Sequence, residues 1–515
     1  MAAPKDVFVG LDVGTQSVKA LVLDASRGEV VARAQQPLTL LDGLPAGHLE
    51  QHPSQWREAV IAAVRAIAEQ VDVTRIAGIG VSGQQHGCVV LDDQGSVVRP
   101  AKLWCDTATS DEARELAAAI GRPVPTGFTA SKLLWLKRHE PDNWARVRRV
   151  LLPHDYLNFW LTGNAAMECG DASGSGWFDP VERAFAVDAM AAIDERLPDM
   201  LPELVAADAL VGTLQPAVAA QLGLPAGVSA GISAGTSAGT SAGTSAGTSD
   251  GAAAGIPVSA GGGDNMMSAI GSGAVRSGVV VVSLGTSGTI FARADAPVVD
   301  PDGLIAPFCS SDGAWLPLLC VMNLTGVTEE VRALTGLDHR ELTAAAEAVP
   351  VGSDGLLWLP FLNGERVPDL PDATGTLLGM RPGNLRAGHL YRAALEGTSC
   401  NLGLGFRRLR ELGVSVDEVR LTGGAANNAL WRQILADVLG VPVRVLAETE
   451  SAALGAALQV SWAVRRQAGE AELSIADVAA PFVRLGARTE PDTDRADAYR
   501  KLQQRFAQEL ARLHP

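Results

Sequence analysis

Val7-Phe-Val-Gly-Leu-Asp12-Val-Gly14-Thr15-Gln16-Ser17-Val-Lys19-Ala-Leu-Val-Leu-Asp24 stands almost at the start of the chain. Two apolar runs flank a Gly-Thr turn, the pattern of two strands joined by a hairpin. A second hairpin at Ala25-Ser-Arg-Gly28 leads into Glu29-Val-Val-Ala-Arg33, which predicts a β-meander. Turn amides and the Thr15 hydroxyl can converge on phosphate oxygens, and Asp12 is placed to hold a divalent cation directly or through water. A single Asp-x-Gly-Thr reads equally well as a plain hairpin. The pattern recurs, however: Val279-Val-Val-Val-Ser283-Leu-Gly285-Thr286-Ser287-Gly288-Thr-Ile-Phe-Ala292 repeats it about 271 residues later, with Ser283 in the place of Asp12. Duplication at half the chain length predicts two similar domains facing each other across a cleft, their Gly-Thr turns clasping a polyphosphate. Only the first copy offers a carboxylate.

A chain of 515 residues exceeds what one hydrophobic core supports, and 47% hydrophobic residues with 55 glycines describe a turn-rich globular protein. The net charge of −16 leaves no basic field to displace phosphate counterions, which argues against a nucleic-acid partner. Six cysteines lie far apart without a C-x-x-C pair, so neither a zinc site nor a disulfide framework is expected. The first residues run into a strand without a basic and apolar leader, and no run of eighteen apolar residues occurs. The expectation is a soluble cytoplasmic protein.

Ile256-Pro-Val-Ser-Ala-Gly261-Gly262-Gly263-Asp264-Asn265 reads as an apolar strand that halts at three glycines and presents one carboxylate. Glycines allow a sharp turn and close approach to a ligand, so Asp264 is placed to act as a general base. An Asx turn or helix cap explains the same residues. Upstream, Arg75-Ile-Ala-Gly-Ile-Gly-Val81 reads as a buried strand delivering Ser82-Gly83-Gln84-Gln85-His86-Gly87. Two amides and an imidazole between glycines can hydrogen-bond several sugar hydroxyls at once, whereas a loop histidine can also be merely exposed. Trp104 and Asp106 add an aromatic face and a carboxylate suited to a carbohydrate; alternatively Trp104 is core and Asp106 caps a helix starting near Ser110. Ser54 reads as the cap of a helix burying Trp56, Val60, Val64 and Ile67. The role of the polar loop Asp171-Ala-Ser173-Gly174-Ser-Gly-Trp177 stays open.

Residues 233–248 are four copies of Ser-Ala-Gly-Thr, bracketed by two copies of Val-Ser-Ala-Gly at 228–231 and 258–261. Such a tract has nothing to bury and reads as a mobile insertion. Val419-Arg-Leu-Thr-Gly423-Gly424-Ala425-Ala426-Asn427-Asn428 is strand, glycine turn, then helix, a junction suited to a nucleotide because the amides at the helix start face an anion or a base. Ala452-Ala-Leu-Gly455-Ala-Ala-Leu458 is a small-residue helix able to pack tightly, and the tail from about Leu473 reads as peripheral helix.

Together these stretches resemble the FGGY family of carbohydrate kinases from Val7 to about Val464, and most closely its members that phosphorylate D-xylulose. Gly127-x-Thr129-x-x-Lys132-Leu-x-Trp135 and Gly375 through Glu396 are similar to the family's two signature segments. Asp12-x-Gly14-Thr15, Gly263-Asp264-Asn265, Leu284-Gly-Thr286-Ser-Gly288 and Gly423-Gly424-Ala425 follow in its order and spacing. The resemblance implies an α/β fold of two actin-like, ribonuclease H-like ATPase domains of the hexokinase type, at 1–272 for the sugar and 273–515 for the nucleotide, facing across a catalytic cleft. It implies Asp264 as catalytic base and Asp12 as the residue serving Mg²⁺ and the transferred phosphate. Gly14, Thr15 and Gln16 with Gly285, Thr286 and Ser287 would hold the ATP phosphates; Gly423, Gly424, Ala425 and Asn428 would sit by the adenosine. Gln85 and His86 are implied as sugar ligands, with Trp104, Asp106, Asp264 and Asn265 nearby. The partners implied are D-xylulose and ATP, with neither nucleic acid nor membrane, and a homodimer is admitted. Gln85 and Cys105 depart from residues common in the family, and the Ser-Ala-Gly-Thr tract is an insertion; both bear on the sugar rather than on the reaction class. Two rivals stand beside this reading: a family member acting on ribulose, fuculose, gluconate or glycerol, and a non-catalytic sensor on the same fold.

Overall fold

The computed structural model describes residues 5–226 and 255–515, so the four Ser-Ala-Gly-Thr copies and the Val-Ser-Ala-Gly word at 228–231 lie outside the described residues. The chain folds as two compact units, the first formed by residues 1–271, 311–313 and 452–482, the second by 272–310, 314–451 and 483–515.

The first unit is built on a seven-stranded sheet. Its strands are β1 (Val7–Val13), β2 (Ser17–Asp24), β3 (Glu29–Pro37), β4 (Ile76–Gly83), β5 (Leu210–Thr213), β6 (Pro257–Ser259) and β7 (Gly262–Gly263). They lie in the order β5-β6-β4-β1-β2-β3, with β7 continuing alongside β4. The meander β1-β2-β3 is antiparallel, while β4 runs parallel to β1. All of β1 except Asp12 is buried, as is all of β4, because helices cover both faces and every side chain there needs an apolar neighbour. One is Pro53–Ala68, which buries Trp56, Val60, Val64 and Ile67 as the periodicity predicts. Its cap is His52, not Ser54: the ring Nδ1 of His52 accepts the Ser54 amide at 3.2 Å, and Pro53, which has no amide proton to satisfy, takes the first helical position. The small-residue helix Ser451–Gln467 presses directly on the sheet. A Cβ on Gly10 or Gly80 would overlap the backbone carbonyls of Ala453 or Ala456, so these strand glycines exist to let the helix in.

The second unit repeats the plan. Strands β8 (Gly278–Leu284), β9 (Gly288–Ala292), β10 (Ala306–Cys309), β11 (Trp315–Val321), β12 (Val416–Thr422), β13 (Val443–Leu446) and β14 (Leu485–Thr489) lie in the order β10-β11-β9-β8-β12-β13-β14. Again the hairpin partner is antiparallel and the strand on the other side parallel. Asp12 sits between Lys19 and Ser82 in register; Ser283 sits between Thr289 and Thr422. The two sheets therefore match strand for strand around their glycine-threonine turns. The tail differs from the expectation of peripheral helix. After the short helix Ile475–Ala479 it supplies the edge strand β14 and then Ala496–Leu513, which buries Tyr499, Leu502 and Phe506. Leu485-Gly-Ala-Arg-Thr489 hides its strand character because an edge strand with exposed residues shows no apolar alternation.

Candidate active site

The C-terminal ends of β1, β4 and β7 bring the first-unit residues together. Asp12, Ser82 and Gly262 lie abreast in three neighbouring strands, and Asp264 follows two residues later as the first residue of the helix Asp264–Gly271. The Ser82 hydroxyl donates to Asp12 Oδ1 at 2.9 Å. Asp264 Oδ1 accepts from its neighbour Asn265, through the backbone amide at 2.8 Å and Nδ2 at 3.1 Å, and Asn265 Nδ2 also donates to Gln85 Oε1 at 2.8 Å. Burial raises the Asp264 carboxyl most, and the nearby Asp12 and Asp171 carboxylates raise it further, to about 8. Asp264 thus belongs to both readings of its stretch: it follows a glycine strand and it starts a helix.

The three glycines before Asp264 each lie against a polar group. A Cβ on Gly263 would come within 2.7 Å of Gln85 Cγ and 2.9 Å of Asp171 Oδ1, and one on Gly262 would overlap the Ser311 hydroxyl. Gly261 is gripped by Gln459 of the helix Ser451–Gln467, whose Oε1 accepts the Gly261 amide at 2.9 Å and whose Nε2 donates to its carbonyl at 3.0 Å. Behind them His154, fully buried, holds Asp171 Oδ2 at 2.6 Å from Nδ1 and Asp155 Oδ1 at 3.0 Å from Nε2. Burial opposes a charge on His154, but the flanking carboxylates of Asp155 and Asp171 outweigh it and raise the ring above its ordinary value. Gln459, His154 and Asp171 carry no local motif. Only their convergence in space reveals them, although the polar glycine loop at Asp171 was a partial signal.

Thr15 lies at the tip of the first turn. Its hydroxyl donates to Gln84 Oε1 and accepts from Trp104 Nε1, both at 3.0 Å, so Trp104 and the first turn form one cluster. That hydroxyl proton is spent within the protein. Gln85 is buried, and its Nε2 has no partner among the described residues. His86 stacks on Phe128 with ring centroids 4.8 Å apart. Asp106 is set apart: it is fully buried, and its carboxylate accepts from the amides of Leu49 and Ala108 and from Lys102 Nζ. With His48 and Glu50 it forms a three-residue group of metal-ligand type. The Lys102 ammonium stands there instead, 3.2 Å from His48 Nδ1, 3.0 Å from Glu50 and 3.1 Å from Asp106. The helix-cap reading of Asp106 does not hold, since Thr109 takes the cap position before Ser110.

In the second unit, the turn Gly285-Thr286-Ser287 and the junction Gly423-Gly424-Ala425 lie side by side. Gly423, at φ 86°, has no room for a Cβ because the Leu284 carbonyl lies 2.5 Å from where it would be. Gly424 is exposed, with open space where a side chain would project. Asn428 caps Ala429–Leu439: its Oδ1 accepts the Trp431 amide at 3.1 Å and its Nδ2 donates to Thr343 at 3.0 Å. The helix Thr325–Thr335 also begins at this turn, with the amides of Leu324 and Thr325 donating to the carbonyls of Thr286 and Gly285 at 3.1 Å. Two helix starts and two glycine turns thus meet in the second unit, although the amides of Gly285, Leu324, Thr325 and Trp431 are already bonded within the protein.

Residues 7–243 match the N-terminal domain, and residues 280–464 the C-terminal domain, of the FGGY family of carbohydrate kinases. A xylulose kinase of Haemophilus influenzae is 36% identical over 99% of this chain and 100% of its own, and one of Streptomyces coelicolor is 38% identical over 89% of this chain and 88% of its own. The crystal structure of xylulose kinase from Rhodospirillum rubrum superposes with a TM-score of 0.84 at 28% identity, covering 99% of both chains. With both sheets, both glycine-threonine turns and both family domains accounted for, the chain belongs to the FGGY family of carbohydrate kinases, phosphotransferases that use ATP.

Proposed function

We propose that the protein transfers the γ-phosphoryl group of ATP to the 5-hydroxyl of D-xylulose, giving D-xylulose 5-phosphate. Supporting the choice of sugar are the relatives named xylulose kinase and the Gln85-His86 loop beside Asp264. The observation that carries the mechanism is the pair of carboxylates Asp12, on β1, and Asp264, just past β7 on the other side of β4, with the second raised towards neutrality by burial and by the first. Phosphoryl transfer passes through a loose transition state, so the protein's contribution is alignment and charge stabilisation, with Asp264 accepting the hydroxyl proton late. A base whose pKa lies near the working pH is matched to that proton transfer.

Asp12 would hold Mg²⁺, directly or through water. The donor set suits it: a half-buried carboxylate oxygen oriented by Ser82, in a region already rich in negative charge. Mg²⁺ would neutralise charge on the phosphate oxygens. In this reading 1–272 carry the sugar and 273–515 the nucleotide, with Gly14, Thr15, Gln16, Gly285, Thr286 and Ser287 at the phosphates and Gly423, Gly424, Ala425 and Asn428 at the adenosine. Gln85, His86, Trp104 and Asn265 meet the sugar; Asp106 acts from behind, through Lys102. No described helix is long and apolar enough to cross a membrane, which accords with work in the cytoplasm. ADP release with Mg·ATP and D-xylulose, beside D-ribulose, L-ribulose and glycerol, tests the proposal. D-xylulose should give the highest kcat/KM, and Asp264→Ala should lower kcat by about 10² to 10⁴ with sugar binding retained. A different preferred polyol would sink the sugar assignment, and an Asp264→Ala variant of normal kcat would sink the base.

A further inference from the structure

The chain that leads to Asp264 breaks its pairing just before the glycines. β6 meets β4 with Val258 opposite Ile79, and β7 meets it again with Gly262 opposite Ser82, so this chain advances four residues while β4 advances three. One residue is surplus, a bulge at Ala260-Gly261 in which Gly261 takes φ 72°. Side chains alternate along a strand, so a one-residue surplus reverses the side to which everything beyond it points. The bulge therefore decides how Gly262 and Gly263 rejoin β4 and where Asp264 leaves the sheet.

A bulge gives up ladder partners, and buried backbone groups must find others. Here two side-chain amides replace the ladder. Asn158, on the helix Pro153–Thr162, donates Nδ2 to the carbonyls of Ser259 at 3.3 Å and Ala260 at 2.7 Å. Gln459 closes a donor-acceptor pair on Gly261, its Oε1 accepting the amide at 2.9 Å and its Nε2 donating to the carbonyl at 3.0 Å, while Oε1 also accepts the Ser259 hydroxyl at 3.0 Å. The Ala260 amide goes to the Ala209 carbonyl at 2.9 Å. The two clamps come from opposite faces of the sheet: within β4, Cβ atoms on Gly78 and Gly80 would meet Val460 and Ala456 of the Gln459 helix, whereas one on Gly83 would meet His154 of the Asn158 helix. Both side chains are fully buried. Only a group that donates and accepts together can satisfy Gly261, so an apolar side chain of the same size would fill the space and leave both of its backbone groups unpaired. We infer that Asn158 and Gln459 are positioning residues that hold the bulge at Ala260-Gly261, and through it the Asp264 carboxyl, in the place where turnover needs it. The inference rests on the proposed reading of Asp264 as the base.

The test uses Gln459→Met and Asn158→Leu in the full-length chain, each alone and combined with Asp264→Ala. Asn158→Leu leaves both bonds of Gly261 in place, so it carries the test if Gln459→Met does not fold. Three readouts are taken: kcat against KM for D-xylulose and for Mg·ATP, the thermal midpoint, and amide hydrogen exchange of peptides spanning 257–266. A misplaced catalytic group slows turnover without weakening binding, so each variant should lower kcat about tenfold or more and leave both KM values within threefold. Exchange should quicken about tenfold in the 257–266 peptides and stay as in wild type over β1 and β2. In the Asp264→Ala background neither change should lower kcat further, because the group they position is gone. A kcat within twofold of wild type in folded variants, a raised KM at unchanged kcat, or losses that multiply with that of Asp264→Ala would each overturn the inference while leaving the base in place. A normal kcat in Asp264→Ala itself would instead refute the reading of Asp264 as base, and the positioning role would fall with it.

Discussion

Replacing Asp264 by asparagine should make the protein more stable while stopping its chemistry. In the unfolded chain this carboxyl titrates near 3.8, whereas in the fold burial, Asp12 and Asp171 raise it to about 8. Between those values the folded protein holds a proton that the unfolded chain releases, so stability falls as pH rises from about 4 and levels off above about 8. At pH 7 the difference spans about three pKa units, which at roughly 1.36 kcal/mol per unit sets a ceiling of about 4 kcal/mol. Asp264 is not fully enclosed, and solvent screening reduces the realised amount to about 1–3 kcal/mol. Asparagine keeps the shape and an oxygen able to accept from Asn265, but carries no ionisation. Thermal midpoints of Asp264→Asn and wild type, measured from pH 4 to pH 8.5 in EDTA, should coincide at the acid end and separate above it, with the variant higher. A difference independent of pH, or a variant that melts lower at pH 8, would refute the account of Asp264 as a carboxyl held near neutrality by burial and like charge.

Lys102→Met should destabilise the first unit by about 3 kcal/mol in chemical denaturation, because it takes the ammonium away from the buried Asp106 carboxylate, which keeps the amides of Leu49 and Ala108, and from Glu50, which keeps Arg99, and removes the charge 4.0 Å above the Trp135 ring. A loss below about 1 kcal/mol would show that the cluster relaxes or admits water. Gly80→Ala should cost about 3 kcal/mol or more, since its methyl meets the Ala456 backbone, which cannot rotate away; the same change at Gly424, which faces open space, should be nearly neutral for stability. Phe506→Ala should cost about 3–5 kcal/mol, as expected for a fully buried ring packed edge-on against Phe361 at 6.4 Å. A peripheral tail helix would lose far less.

Much of the site was legible in the linear order of residues. Asp12, Thr15, Gly285 and Gly423 announce themselves because a strand that ends in a glycine turn is a local event, governed by backbone sterics and by apolar runs of strand length. The duplication was visible for the same reason, and the matched registers of Asp12 and Ser283 follow from it. What stayed hidden depends on partners distant in the chain. Gln459 reaches Gly261 across 198 positions, and Lys102 sits between Glu50 and Asp106 where a reader of motifs sees ligands. Asp106 looks available in sequence, yet three donors enclose it. Edge strand β14 carried no alternation to read, and the glycines at Gly10 and Gly80 owe their identity to a helix more than 370 positions later. Composition, turn chemistry and strand pattern therefore determined the duplicated α/β plan and the carboxylates at its strand ends. Which polar groups remain available, and which are consumed by buried networks, was decided only in three dimensions, because desolvation and hydrogen-bond satisfaction are properties of the packed neighbourhood rather than of any segment.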